Sequence, residues 1–450
     1  MHFSVRRSCF ITVLLAAVTL LLASQGYPRA GQAAAKQAKP TSLRVWPSDP
    51  PESCPFPKST TITGIALTGR YRNYGTADTW FPSWASDGNL YSPYMDGIVG
   101  GVHAGGGGPH SMDGAAKIVG EDPLNLRVVP LTPYKTSPAP YGGRYASASL
   151  VYNGIWYYGT YVVDVFLSKE YNCMWCVVGP FVGFGISRDF GHTWTDTSLT
   201  PTNNLFHETA KNGRRVKMGM AHFVDFGKNM EYSPDGYAYL VADGALTPGT
   251  PAGEALLNAP TWAKYNHTVF KGDMFYLART KPSPQTINQE SAWEFYGGKN
   301  KTGQDIWTHN FARIKPLFQW VGHCGGAQVT YDAPLKKYLW FVTDPLEGTG
   351  GTTMRDMYGV PYNTYVLESD RLTGPWKLVT YLRMFGRQAY WLNLPSKFIS
   401  ADGRTAWLCY SANWTRNTQV DPPGSKYALS LHEIRLLSRN SDSDSEASGR

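Results

Sequence analysis

The sequence predicts an all-β fold, a five-bladed β-propeller closed by a strand from the N-terminal side, and three observations carry that prediction. First, one unit recurs five times: a short turn, then an aromatic-rich strand that ends in Asp or Asn. The copies read S-D-G-N-L-Y-S-P-Y-M-D from Ser86, Y-N-G-I-W-Y-Y-G-T-Y-V-V-D from Tyr152, P-D-G-Y-A-Y-L-V-A-D from Pro234, Y-D-A-P-L-K-K-Y-L-W-F-V-T-D from Tyr331 and A-D-G-R-T-A-W-L-C-Y-S-A-N from Ala401. Asp-Gly and Asn-Gly favour the tight turns of antiparallel hairpins because they tolerate positive φ. Second, the intervals between the turn residues Asp87, Asn153, Asp235, Asp332 and Asp402 leave room for two further strands after each hairpin, the length of a four-stranded blade. Third, no long 3.6-residue apolar period with caps occurs, whereas short runs rich in Tyr, Trp, Val and Phe alternate with Gly and Pro clusters.

The elements follow in order. The basic start M-H-F-S-V-R-R and the apolar run Cys9 to Ala23 read as a secretory signal over 1–26, with an uncleaved anchor as the alternative. Residues 27–58, rich in Ala, Pro, Ser and Lys, read as a linker, 59–437 as the propeller, and the polar 438–450 as a disordered tail. Third strands are expected at A-A-K-I-V-G from Ala115, F-V-G-F-G-I-S from Phe181, M-F-Y-L-A-R from Met274, T-Y-V-L-E-S from Thr364 and L-H-E-I-R-L-L from Leu431. Fourth strands can follow, as at H-T-W-T-D from His192, W-E-F-Y from Trp293 and P-W-K-L-V-T from Pro375. The last repeat lacks one, and T-I-T-G-I-A-L-T-G-R-Y from Thr61 is available to supply it, which would remove the exposed sheet edges. Six blades is the alternative, because the longest interval contains F-K-G-D-M-F-Y-L from Phe270.

Charge and cysteine content narrow the classes. The formal charge is +8, yet the densest basic run, K-N-G-R-R-V-K from Lys211, reads as a solvated loop, so nucleic acid is not an expected partner. Of the six cysteines, Cys54, Cys173, Cys176, Cys324 and Cys409 lie beyond the signal, an odd set that leaves at least one thiol free or paired between chains. Cys173 and Cys176 have redox spacing but sit among aromatic strands, where a local disulfide or buried thiols is the simpler reading. No zinc pattern is complete, so no metal or cofactor is expected, with a structural calcium ion as the open alternative. Nothing in the sequence fixes the oligomeric state, and no transmembrane anchor is expected beyond the signal.

Propeller geometry converts the repeat into a map of the site. The end of each second strand and the start of each innermost strand reach the same mouth of the central channel. The second-strand ends are Asp96, Asp164, Asp243, Asp344 and Asn413; the first-strand starts are Asp78, Arg144, Lys217 or His222, His323 and Gln388. Carboxylates crowded in one funnel have their pKa values pushed apart, as acid/base cleavage of a glycosidic bond requires. Asp78, Asp96 and Asp243 are therefore the catalytic candidates. The binding candidates are Trp80, Arg144, Asp164, His222, His323, Asp344, Gln388 and Trp391, since flat aromatic faces suit the apolar faces of sugar rings. Against this, the Asp of M-D-G and A-D-G can simply serve a turn, and Trp80, Trp320, Tyr390 and Trp391 can simply pack between blades.

Three short segments add a resemblance. Ser187-Arg-Asp189-Phe-Gly191-His-Thr193-Trp194 matches S-x-D-x-G-x-T-W, the Asp-box turn of sialidases and other secreted propellers, whose role there is structural. E-S-D-R-L-T-G-P-W from Glu368 resembles an outer turn of five-bladed glycoside hydrolase family 43 enzymes. D-T-W-F-P-S-W-A-S-D-G-N-L-Y from Asp78 looks like the opening blade of those enzymes and of the secreted domain of unknown function 4185 group. That resemblance implies a secreted hydrolase acting on a polysaccharide, with an arabinan-type furanoside among the implied substrates. By position, Asp78 matches the general base of family 43. The pattern departs at the general acid: no Glu opens an inner strand in the later blades, and Glu294 and Glu368 fall on predicted outer strands. A non-catalytic glycan-binding propeller is the competing expectation.

Overall fold

The computed structural model describes residues 43–105, 112–135, 144–163, 178–208, 216–244, 270–345, 361–414 and 419–438. Asp164, Cys173, Cys176, the signal region and the tail lie outside them. The described residues form five antiparallel sheets and almost no helix. Each recurring unit is a hairpin of inner and second strands, as its turn chemistry dictates: Ser83–Trp84 with Leu90–Val99, Arg144–Tyr152 with Ile155–Val163, Ala221–Phe223 with Ala238–Gly244, Ala327–Asp332 with Lys337–Pro345, and Tyr390–Asn393 with Thr405–Ser411. The expected third strands fall at Met112–Val119, Val178–Ser187, Met274–Thr280, Tyr362–Ser369 and Leu429–Leu437.

The inner strands neighbour one another in chain order, and the last sheet returns to Thr76–Asp78 of the first, which is a β-propeller arrangement. Side chains stitch the ring. Ser83 Oγ accepts from the Val151 amide at 2.8 Å, Thr330 Oγ1 donates to the Leu394 carbonyl at 2.7 Å, and Asn393 Nδ2 donates to the Trp80 carbonyl at 3.1 Å. Closure comes from Gly64–Tyr74, which pairs with Leu429–Leu437 through Gly64↔Leu437 to Tyr74↔Leu429. The strand that lacked a sequence neighbour is thus the one that covers the edge of the last sheet.

Three expectations change. The linker reading does not hold for residues 43–58. Arg44–Val45 pairs with the closing strand, Ser48 and Lys58 bridge to Leu382 and Leu378, and Trp46 is buried against Phe385. Just beyond it, Ser59 and Thr61 hydroxyls donate to the buried Glu368 carboxylate. Next, the His192 segment makes only an isolated bridge, Ile186↔Thr195, so the second sheet has three strands among the described residues. Last, F-K-G-D-M-F-Y-L does not open a new hairpin: Met274–Thr280 is the third strand of the third sheet. That sheet also holds the added outer strands Asp305–Thr308 and Phe318–Gln319.

Candidate functional site

Hairpin register brings the first two candidates together. Asp78 sits opposite Met95 on the paired strand, so Asp96 is its neighbour across the ladder. Gly97 follows Asp96 for a reason other than a turn: a Cβ there would stand 2.0 Å from the Thr76 carbonyl oxygen. Gly244, after Asp243, is excluded in the same way, with a built Cβ 2.7 Å from the Tyr276 ring and 2.9 Å from the Val216 carbonyl oxygen. The Asp-Gly pairs at the second-strand ends are close-approach sites, distinct from the Asp-Gly turns at the other end of the same hairpins.

Asp78 and Asp96 line one pocket, and the rest of its wall among the described residues is Tyr145, Tyr161, Phe270, Tyr390, Trp391, Trp414 and Tyr427. Asp78 is buried, and Asp96 is exposed at the rim. Tyr390 donates to Asp78 Oδ2 at 2.8 Å and Thr79 Oγ1 donates to Oδ1 at 2.8 Å, while Tyr427 donates to the Asp96 carbonyl at 3.1 Å. Burial, and then the Asp96 charge, push the Asp78 carboxyl up to about 7, more than its hydrogen bonds pull it down. Strained backbone surrounds the pair, with φ of 65° at Thr79, 49° at Asp96 and 54° at Trp391.

Of the remaining candidates among the described residues, Trp391 lines this pocket and the others lie outside its lining. Asp243 is buried, and its Oδ1 accepts the Met220 amide at 2.8 Å, pinning the entry of the third inner strand. Its charge, like those of Asp78 and Asp96, acts on the Tyr161 phenol. Asp344 is buried and orients His323 through Nδ1 at 2.9 and 3.0 Å; Tyr381 donates to it at 2.6 Å and Trp320 stacks on the imidazole at 4.1 Å. Arg144 is fully buried, with Nε donating to Thr160 Oγ1 at 2.8 Å. Its charge acts on the buried Asp113 carboxyl, which burial and the Asp96 and Asp196 charges push well above the ordinary range.

Trp80, expected as a sugar platform, is a packing residue: it is buried, stacks on Tyr94 at 5.6 Å and donates to the Ala77 carbonyl. His222 lies deeper between the inner strands, in a small second cavity lined also by Trp84, Asp225 and Gln328. Burial pushes its imidazole down to about 3, and Phe81 meets it edge-on at 4.2 Å. Gln388 is buried and does not line the pocket. Among the described residues no group of three or more His, Cys, Asp or Glu is placed to hold a metal ion, and Cys54, Cys324 and Cys409 are free thiols.

The chain reading missed Tyr145, Tyr161, Phe270, Trp414 and Tyr427. Tyr145 adjoins Arg144, which was singled out, and strand alternation alone decides which of the two faces the channel; Trp414 adjoins Asn413 in the turn after Thr405–Ser411. Tyr427 comes from the loop before the last strand, where no repeat signal exists.

At the Ser187 turn, Ser187 Oγ accepts the Gly191 amide at 2.7 Å, and Asp189 Oδ1 accepts those of His192 and Thr193 at 3.1 and 2.8 Å. Trp194 donates to the Thr132 carbonyl and packs against Trp156 and Tyr134.

No family model and no curated protein matches the chain. Solved structures do. A provisional hydrolase from Bacteroides ovatus is 14% identical over 91% of this chain and 98% of that one, with a TM-score of 0.46. A glycoside hydrolase family 43 enzyme from Xanthomonas citri is 13% identical over 83% and 91%, with a TM-score of 0.40. The catalytic domain of a family 62 α-L-arabinofuranosidase from Coprinopsis cinerea is 12% identical over 88% and 98%, with a TM-score of 0.40. These values are too low to transfer an activity, so the functional reading rests on the residues of the pocket.

Proposed function

We propose that this chain is a secreted glycoside hydrolase acting on a polysaccharide, built on a five-bladed propeller in which each of the five sheets is one blade. The observation that carries the reading is the pair in the aromatic pocket: a buried Asp78 carboxyl pushed up to about 7 beside an exposed Asp96. Two carboxyl groups in one site with different environments are the requirement for cleaving a glycosidic bond. The raised carboxyl favours the acid role for Asp78 over the base role that its position resembles. Asp78 gives its proton to the bridging oxygen as the C–O bond breaks, and the leaving sugar departs as an alcohol. Asp96 then either takes a proton from the attacking water or bonds to the anomeric carbon first, and in both cases one water is consumed per bond. Asp243 positions the entry of the third inner strand. Tyr145, Tyr161, Trp391 and Trp414 supply the walls against which a sugar ring packs.

The hydrogen-bonded turn at Ser187–Trp194 supports reading that segment as an Asp-box. Kinship with the domain of unknown function 4185 group, and an arabinan-type substrate, belong to the same proposal. Secretion rests on the signal read over residues 1–26, and export by that segment fused to a reporter tests it. Reducing-end release from arabinans, xylans, mannans and sialosides, with Asp78→Asn as control, tests the activity. Release that the variant retains in full, or none from any glycan, overturns the assignment; binding without release favours a glycan-binding propeller.

A further inference from the structure

The walls of the Asp78 pocket carry a bias that the hydrolase reading alone does not require. Among the described residues the pocket is lined by two carboxylates and seven aromatic residues, with no Lys, Arg or His. Arg144 is buried behind the wall, its Nε on Thr160 and its charge acting on Asp113, and the charge of Lys271 is engaged by Asp273 and Asp344. A neutral sugar gains nothing from the Asp96 charge at the rim, and an acidic sugar is repelled by it. A protonated amine is favoured twice, by the Asp96 carboxylate and by the faces of the surrounding rings.

A second observation points to a ligand. The Tyr161 hydroxyl is fully buried in this wall and has no hydrogen-bond partner among the described residues, although the charges of Asp78, Asp96 and Asp243 all act on its phenol. A buried phenol normally has a partner, and a sugar hydroxyl beside an amine would supply one.

We infer that the pocket selects a sugar unit bearing a free, protonated amine, so that the substrate is a glycan containing non-acetylated amino sugars. The inference deepens the hydrolase reading, and its test is one of binding, so the two can fail separately. The wild-type protein, followed by tryptophan fluorescence at about pH 6, is titrated with glucosamine and glucose, galactosamine and galactose, galacturonate, and tetramethylammonium. At least one amino sugar should bind about tenfold more tightly than its neutral counterpart, and galacturonate most weakly. Raising the salt to about 0.5 M should shrink the preference. Asp96→Asn, a change at the exposed rim, should remove most of it while leaving the circular dichroism spectrum unchanged. Neutral and amino sugars binding alike, no binding by any sugar, or a preference that survives in Asp96→Asn would overturn the inference. Tetramethylammonium binding as tightly as the amino sugars would overturn the sugar part of it. Glycan hydrolysis without amine preference leaves the hydrolase reading standing, whereas amine preference without hydrolysis removes that reading alone.

Discussion

Asp78 shows at the scale of one residue how function and stability oppose each other. Its carboxyl is raised to about 7 in the fold, against 3.8 for an unperturbed group. The folded state therefore binds this proton more tightly than the unfolded chain. The stability linked to it is complete below the unfolded value and is lost as pH rises toward 7. Asp78→Asn should accordingly stabilise the protein at about pH 8 by at most about 4 kcal/mol, read as a higher denaturant midpoint with an unchanged slope. The same change should lower glycan hydrolysis by about 10²–10⁴-fold, the usual worth of a general acid. In the wild type, hydrolysis should fall as pH rises through about 7, because the proton to be delivered is then lost. A rate that instead climbs through that range would give Asp78 the base role.

Legibility at this scale was uneven for a physical reason. Asp78 and Asp96 were readable because chain order around the repeat fixes which strand ends meet. The exchange of Trp80, a core residue, for Tyr145 and Tyr161 was not, because facing the channel or facing the next sheet is decided by side-chain direction within a pleat.

Among elements, the hairpin is the unit that divides structural from chemical work. At its turn end, Asp87 Oδ1 accepts the Asn89 amide at 3.0 Å while Oδ2 accepts from Tyr91 and Lys117 at 2.8 and 3.0 Å. Asp235 repeats the pattern with Tyr237, Tyr239 and Arg279 at 3.1, 2.7 and 3.0 Å. These carboxylates are consumed by the turn. At the other end, Asp243 and Asp344 each bind the entry to the inner strand of their own sheet, and among the described residues only the first sheet brings two carboxylates to the pocket. The two glycines of that hairpin should respond differently to Ala. Gly88→Ala meets open space at a φ of 83° and should cost on the order of 1 kcal/mol. Gly97→Ala drives a methyl into the Thr76 carbonyl, so it should cost several times more and abolish activity by parting Asp78 from Asp96. Chemical denaturation of the two variants side by side checks this. The sequence alone offers Asp-Gly in both places, and only the packing tells a turn glycine from a close-approach glycine.

On the scale of the whole molecule, the ring depends on its first strand. Gly64–Tyr74 covers the edge of Leu429–Leu437, and residues 43–61 strap across the neighbouring sheet through Ser48, Lys58 and the Glu368 carboxylate. Removing residues 1–58 should weaken the fold but leave it soluble. Removal through Tyr74 uncovers a full strand edge and should yield aggregate, as size-exclusion chromatography would show. The closing strand was legible because the last repeat lacked a partner. The strap was not: its composition is that of a linker, and only the surface it meets gives it order. The measurement that tests the account most directly is the titration of the Asp78 carboxyl carbon by ¹³C NMR in the wild type and in Asp96→Asn. A midpoint near 7 that falls when the Asp96 charge is removed is the predicted result. A midpoint near the ordinary value of about 4 in both proteins would contradict it.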